Sequence, residues 1–237
     1  MRLLLASILL GPWGCSLSRH APPQQHYVLG ESPRPDLPAP VADPGGPVIG
    51  LRPPRLAAYL DNPYIVVRRA SNRVGFSEFH RWGEDLARGI SRAVAGHLAP
   101  RASSWRIQIA PWGSQAQPDY VVQLHVLRFE GVVPEAGEAS GGEAHVWATW
   151  EITRREDGAL LSRGTTEVRE PGWTVGDFDG LVSRLDQGLA TLAQALLADL
   201  ERVLAVRAAR TQPLDAGREP HAERGSGPTG TTPDERW

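Results

Sequence analysis

The chain has 237 residues, 25 basic and 27 acidic side chains and a formal net charge of −2. It has no basic run, which argues against nucleic-acid binding, because neutralising phosphates needs clustered positive charge. All 25 basic residues are Arg. A Walker lysine is therefore impossible, and neither a Gly-x-x-x-x-Gly-Lys-Ser/Thr loop nor a Gly-x-Ser-x-Gly elbow is present.

The N-terminus reads Met1-Arg2, then the apolar stretch Leu-Leu-Leu-Ala-Ser-Ile-Leu-Leu, then Gly-Pro-Trp-Gly-Cys15. A charged start, a short apolar stretch and small residues ahead of a cut site predict a signal peptide over residues 1–14. No apolar run in the chain reaches the roughly 20 residues that span a bilayer. Cys15 is the only cysteine, so it cannot form an intrachain disulfide. Its position resembles a bacterial lipoprotein signal, with Gly14 as the small residue before the cysteine, and acylation of Cys15 is expected. Acyl chains would anchor the chain to a membrane surface without spanning it.

Residues 15–23 read as a lipidated N-terminus and tether. A globular unit is expected over 24–206, interrupted by a Pro-rich stretch at 31–47. Residues 26–30 and 48–51 are predicted strands, and 55–60 reads as a short helical turn. Residues 64–69 are β-branched and strand-like. Residues 74–80 return as the partner of a hairpin. From Gly83 the period changes: Leu86, Ile90, Val94 and Leu98 recur every four residues and predict an amphipathic helix over 83–99. Glu84 and Asp85 suit its first turn, and Pro100 marks its end. Arg81-Trp82 stands at this strand-to-helix corner, where it can fix the corner or anchor an interface.

Residues 105–112 alternate and stop at Pro111. Residues 119–129 predict the longest strand, with Val121, Gln123, His125, Leu127 and Phe129 sharing one face. Residues 131–142 are a hairpin loop. Residues 143–153 alternate again, with Val146, Ala148, Trp150 and Ile152 inward and His145, Trp147, Thr149 and Glu151 opposite. Asp157-Gly158 is a hairpin turn, residues 160–168 form the return strand, and Pro171-Gly172 breaks the chain. A long helix begins near Asp177 or Phe178, with Leu181, Leu185, Leu189, Leu192, Leu196, Leu200 and Val203 as its apolar stripe. Residues 207–237 are poor in large apolar side chains and read as a disordered tail. This order predicts an α/β sandwich with a mixed, largely antiparallel sheet and two main helices.

The chemistry-bearing residues form no recognisable constellation. Imidazoles at His80, His125 and His145 could share a zinc with Glu143 or Glu151, but no close-spaced His pair occurs and half-exposed structural histidines are the simpler reading. Glu78, Glu130 and Glu151 could serve as general acids only in a shared cleft. No metal, cofactor or catalytic residue is expected. Trp and Arg remain, and Trp147, on the polar side of its strand, is a candidate for a partner surface.

The pattern resembles the PqiC/YmbA family of ABC-type transport auxiliary lipoproteins. The resemblance rests on His26-Tyr27-Val28-Leu29, on Val48 to Leu60 ending in Tyr59-Leu60-Asp61-Asn62-Pro63, and on Ile65-Val66-Val67-Arg68. It continues through Phe79-His80-Arg81-Trp82 leading to Leu86, Pro111-Trp112, Val126-Leu127-Arg128-Phe129-Glu130 and Asp179-Gly180-Leu181-Val182-Ser183. It implies a fold similar to the anticodon-binding-domain-like α/β folds. It also implies a non-enzymatic lipoprotein at the outer membrane of a Gram-negative bacterium, facing the periplasm. Its partners would be an MCE-domain (PqiB-like) protein and the inner-membrane components of a lipid transport system, and a homo-oligomer matching the MCE ring is expected. Arg81, Trp82 and Trp112 are the expected docking or structural anchors. The competing expectation is an accessory lipoprotein of outer-membrane assembly or secretion.

Overall fold

The computed structural model describes residues 23–30, 45–102, 104–114, 117–134 and 141–211. The signal segment, Cys15, most of the Pro-rich stretch and residues 212–237 of the expected tail lie outside the described residues.

The sheet is built on one long strand, β7 (Tyr120–Val132). Its β-branched run Val121-Val122 and alternating Leu124 and Val126 suit a strand buried on one face. One edge of β7 carries β8 (Gly142–Arg154) along its length, from Tyr120 opposite Arg154 to Val132 opposite Glu143. Outside β8 runs β9 (Leu160–Trp173), and both ladders are antiparallel. The other edge of β7 is shared by three short parallel strands. These are β2 (Val48–Leu51) at Tyr120–Val122, β3 (Arg55–Leu56) at His125 and Val126, and β4 (Tyr64–Ala70) at Gly131 and Val132. Outside β4 lie its hairpin partner β5 (Arg73–Trp82) and, parallel to that, β1 (Gln25–Tyr27). Outside β2 lies β6 (Arg106–Ile109). The nine described strands make one mixed sheet. Its two longest ladders are antiparallel, as expected for the fold class.

Two helices cover one face. α1 (Leu86–Leu98) is capped by Asp85, whose carboxylate accepts the Arg88 N–H at 2.9 Å. It buries Leu86, Ile90, Val94 and Leu98, the stripe seen in the sequence. α2 (Phe178–Thr211) buries Leu181, Leu185, Leu189, Leu192, Leu196 and Leu200 against β8 and β9 and packs beside α1. It runs a few residues into the segment expected to be tail. Between β3 and β4 a 3-10 turn at Ala58–Leu60 replaces part of the helical turn expected over 55–60.

Two expectations about the strands fail for local reasons. Phe129 does not share a face with Val121, Gln123 and His125. The β7–β8 register shifts between Val126 and Arg128, so Leu127 is an extra residue and the alternation reverses past it. Val122, Leu124 and Val126 face the helices before the bulge, and Phe129 does so after it, opposite Val146. The chain also does not break at Pro171-Gly172, because β9 continues to Trp173. β9 is an edge strand, where a proline lacking its N–H is tolerated, and Gly172 takes the left-handed conformation at φ +83°. The continuation carries Trp173 over Gly131 and Gly142, where it is fully buried and donates its Nε1–H to the Asp177 carbonyl at 2.7 Å.

Candidate docking surfaces

The three sequence-predicted anchors do not converge. Trp82 closes β5, is 5% exposed and lies 5.7 Å from the Phe129 ring, centroid to centroid. It therefore fixes the corner between β5 and α1 from inside. Arg81 beside it is half-buried, and its guanidinium carbon lies 4.7 Å from the centroid of the Tyr64 ring, its cross-strand neighbour. Its Nε is buried without a hydrogen-bond partner among the described residues. Trp112 belongs to the other half of the sheet. It follows β6, lies against Gly50 of β2 and Pro118, and donates its Nε1–H to the Gln108 carbonyl at 3.4 Å.

The sheet face away from the helices is the more coherent surface. Direct cross-strand partners share a face, so this one carries Gln123, His125, Arg128 and Glu130 from β7. From β8 it carries Glu143, His145, Trp147, Thr149 and Glu151, and from β9 it carries Arg163, Thr165, Glu167 and Arg169. Trp147 stands in the middle row between Arg128 and Glu167, half-exposed, with its Nε1–H 3.4 Å from Thr165 Oγ1. Around it the charges pair in rows. Arg169 binds Glu143 at 2.6 Å and Glu167 at 2.9 Å, and Arg163 binds Glu151 at 3.0 Å. Exposed pairs of this kind contribute little to stability, about 0–1 kcal/mol each. They do, however, frame a half-buried indole with paired charges.

His145 belongs to this frame yet is only 5% exposed. Its Nε2 lies 2.9 Å from Glu167 Oε1. A carboxylate only accepts, so the neutral ring carries its proton on Nε2. Burial pushes the imidazole below its ordinary value, and the Arg169 charge adds to this against the opposing pull of Glu167. With its folded value below the unfolded one, the unfolded chain takes up the proton first. The stability that His145 supplies is thus complete above the unfolded value and is lost as pH falls through the folded one. Urea midpoints are expected to fall between pH 7.5 and 5, and His145→Gln is expected to flatten that slope. An unchanged slope in the variant would remove His145 as the source.

The histidines considered for a metal are separated. His80 stacks on Phe178 at 3.9 Å between centroids and 10° between planes, and its Nδ1 lies 2.9 Å from Ser77 Oγ. His125 and His145 share the open face but stand opposite Thr149 and Glu130, respectively. That places them four residues apart along β8, roughly 13 Å. Among the described residues no three metal-ligating side chains come together, and no helix is long and apolar enough to cross a membrane. The His145–Glu167–Arg169 cluster joins β8 to a pair of residues on β9 more than twenty positions later. Its one signal in the sequence was the polar half of the alternation in β8.

A family model described as the ABC-type transport auxiliary lipoprotein component matches residues 27–197. Protein XCC0632 from Xanthomonas campestris, of the DUF330 family, is 15% identical with a TM-score of 0.57, covering 79% of this chain and 97% of that one. An uncharacterized protein is 16% identical with a TM-score of 0.55, covering 65% of this chain and 92% of that one. At these identities the structures share the fold alone. A search among curated proteins found no match. The family match spans both halves of the sheet, α1 and most of α2, and the chain belongs to the ABC-type transport auxiliary lipoproteins, which are not an enzyme class.

Proposed function

We propose that the chain is a non-enzymatic, periplasm-facing subunit of an intermembrane lipid transport system, held at the outer membrane by an acylated Cys15 and docked on an MCE-domain protein. The observation that carries the reading is the family match over residues 27–197. The fold supplies the surface, since the two described helices lie on one side of the sheet and Trp147 is half-buried on the other. Indoles framed by polar pairs are frequent energetic centres of interfaces. Arg81 and Trp112, each half-buried, are secondary candidates, whereas Trp82 acts by fixing the corner. The tether before β1 gives the domain reach from the membrane, and a homo-oligomer would match the symmetry of an MCE ring.

The test places a photocrosslinking residue at position 147, and in a control at exposed Arg88 on α1, in cells carrying the native envelope. An MCE-domain protein is expected to be captured from position 147 and not from 88. Trp147→Ala is expected to weaken that association about 30-fold, a hot-spot loss of about 2 kcal/mol, with its urea midpoint unchanged. Capture of an outer-membrane barrel or secretin in place of any MCE-domain protein would reject the reading in favour of an assembly or secretion accessory.

A further inference from the structure

A groove of about 870 Å³ opens where the distal part of α2 passes the β8–β9 turn. This volume lies inside the roughly 300–1,000 Å³ of small-molecule sites. Arg154, on its rim, stands seven residues along β8 from Trp147, roughly 23 Å. Two features of its lining point to one class of ligand.

The first feature is apolar. Leu160 and Val206 line the groove, one from each wall, and are 45% and 51% exposed. Leu161 and Val203 also line it. These four residues are the apolar part of the lining.

The second feature is cationic. Arg154, Arg155, Arg202 and Arg207 line the same groove, against the carboxylates of Asp119 and Glu156. Two of these guanidiniums, on exposed residues, each bond to the fold through one nitrogen. Arg155 donates its Nε–H to the Pro118 carbonyl at 2.8 Å. Arg202 donates from Nη1 to Asp199, which is buried and also accepts from Trp150 Nε1 at 2.9 Å and Ser162 Oγ at 3.3 Å. Each uses one nitrogen among the described residues and keeps the rest of its planar donor fork. Arg207 lies 5.8 Å from the Tyr120 ring centroid. Of the two carboxylates, Asp119 already accepts the Val48 N–H at 2.8 Å. The lining therefore offers forks of the kind that bind phosphate in a bidentate manner.

A small anion has no use for the apolar part of the lining, and a neutral lipid has no use for the guanidiniums. We propose that this groove binds an anionic acyl lipid with a phosphate headgroup, its headgroup against Arg155 and Arg202 and an acyl chain along Leu160, Leu161, Val203 and Val206. The inference deepens the transport reading by giving this subunit its own contact with lipid, and it rests on that reading for the source of the lipid.

The test uses the full chain in dodecyl maltoside with a photoactivatable phosphatidic acid at low mole fraction, and maps the labelled peptides. Labelling is expected on 160–163 and 202–207, competed by unlabelled phosphatidic acid and not by phosphatidylcholine or inorganic phosphate. Arg155→Gln is expected to lower the apparent affinity about tenfold, the loss of a charge-assisted hydrogen bond. Leu160→Asp, at an exposed position that does not threaten the fold, is expected to reduce labelling similarly. Labelling elsewhere, equal competition by phosphatidylcholine or by inorganic phosphate, or undiminished labelling in both variants would overturn the proposal. Such a failure leaves capture of a partner from position 147 untouched, and failure of that capture leaves the labelling here untouched.

Discussion

Replacing Glu130 by Ala is expected to destabilise the domain by about 3 kcal/mol or more. Glu130 is 0% exposed. Its Oε1 accepts from Arg68 Nε at 2.6 Å and Arg128 Nη1 at 3.0 Å, and its Oε2 accepts from Arg68 Nη2 at 3.3 Å. Arg68 is held further by the Ser71 carbonyl at 2.9 Å and lies 5.8 Å from the Tyr59 ring centroid. Truncation at 130 would leave two guanidiniums, one of them nearly buried, with their shared counter-charge gone. Such an uncompensated charge costs more than the intact pair contributes.

The position of the cluster makes the effect local as well as large. β4 joins the sheet through only a two-residue parallel ladder on β7, and Arg68 on β4 reaches across that seam to Glu130 on β7. The seam between the β4–β5 hairpin and β7 thus carries a buried ion cluster beside the packing of Ile65, Val66 and Val67. Glu130→Ala is expected to lower the urea midpoint and to raise amide exchange in β4 and β5 more than in β8 and β9. Glu130→Gln keeps the shape and an acceptor, so its loss should be smaller. A loss under about 1 kcal/mol for the Ala variant, or exchange that rises equally in all strands, would show that the seam is held by apolar packing instead.

The parts of this fold that were legible in the sequence are those in which one element carries its own evidence. The Leu181-to-Leu200 stripe on α2 and the four-residue repeat on α1 each show a buried face without reference to any partner. The alternation of β8 named Val146, Ala148, Trp150 and Ile152 as inward, and all four are buried. The bulge at Leu127 was invisible, because an inserted residue in a run of Val, Leu and His leaves no composition mark and shows only in the register with β8. The three short strands sharing one edge of β7 were equally hidden, since their pairing depends on contacts across the whole chain. For the same reason Arg68 and Glu130, 62 positions apart, could be read only as a strand charge and a possible general acid. Arg81 and Trp82 were legible by their place at a strand-to-helix corner and, with Trp112, by the family resemblance, but neither signal separates a buried corner from an exposed anchor.

Gly164→Ala is expected to cost about 3 kcal/mol, although it adds one methyl group to a partly exposed strand. Gly164 lies opposite Trp150, and the indole packs against it. A Cβ at 164 would fall inside contact distance of Trp150 Cζ2 and Cε2 and 2.7 Å from its Nε1. Overpacking of this kind costs about 1–3 kcal/mol when neighbours can adjust. Trp150 is poorly placed to adjust, because its Nε1–H donates to buried Asp199 at 2.9 Å and the ring is packed in the core below α2. Retreat of the ring would leave a buried carboxylate short of a donor, worth about a further 1–3 kcal/mol. Gly96 on α1 is the internal control: a Cβ there meets nothing within 4 Å, so Gly96→Ala is expected to stabilise by about 0.5–1 kcal/mol through helix propensity. Trp150→Leu in the Gly164→Ala background opens room for the new methyl, so the double variant should lose less than the sum of the two single losses. Urea unfolding of the four variants measures this directly. Additive losses would mean that the strand shifts away from the indole and that the Trp150–Asp199 bond does not hold the ring in place.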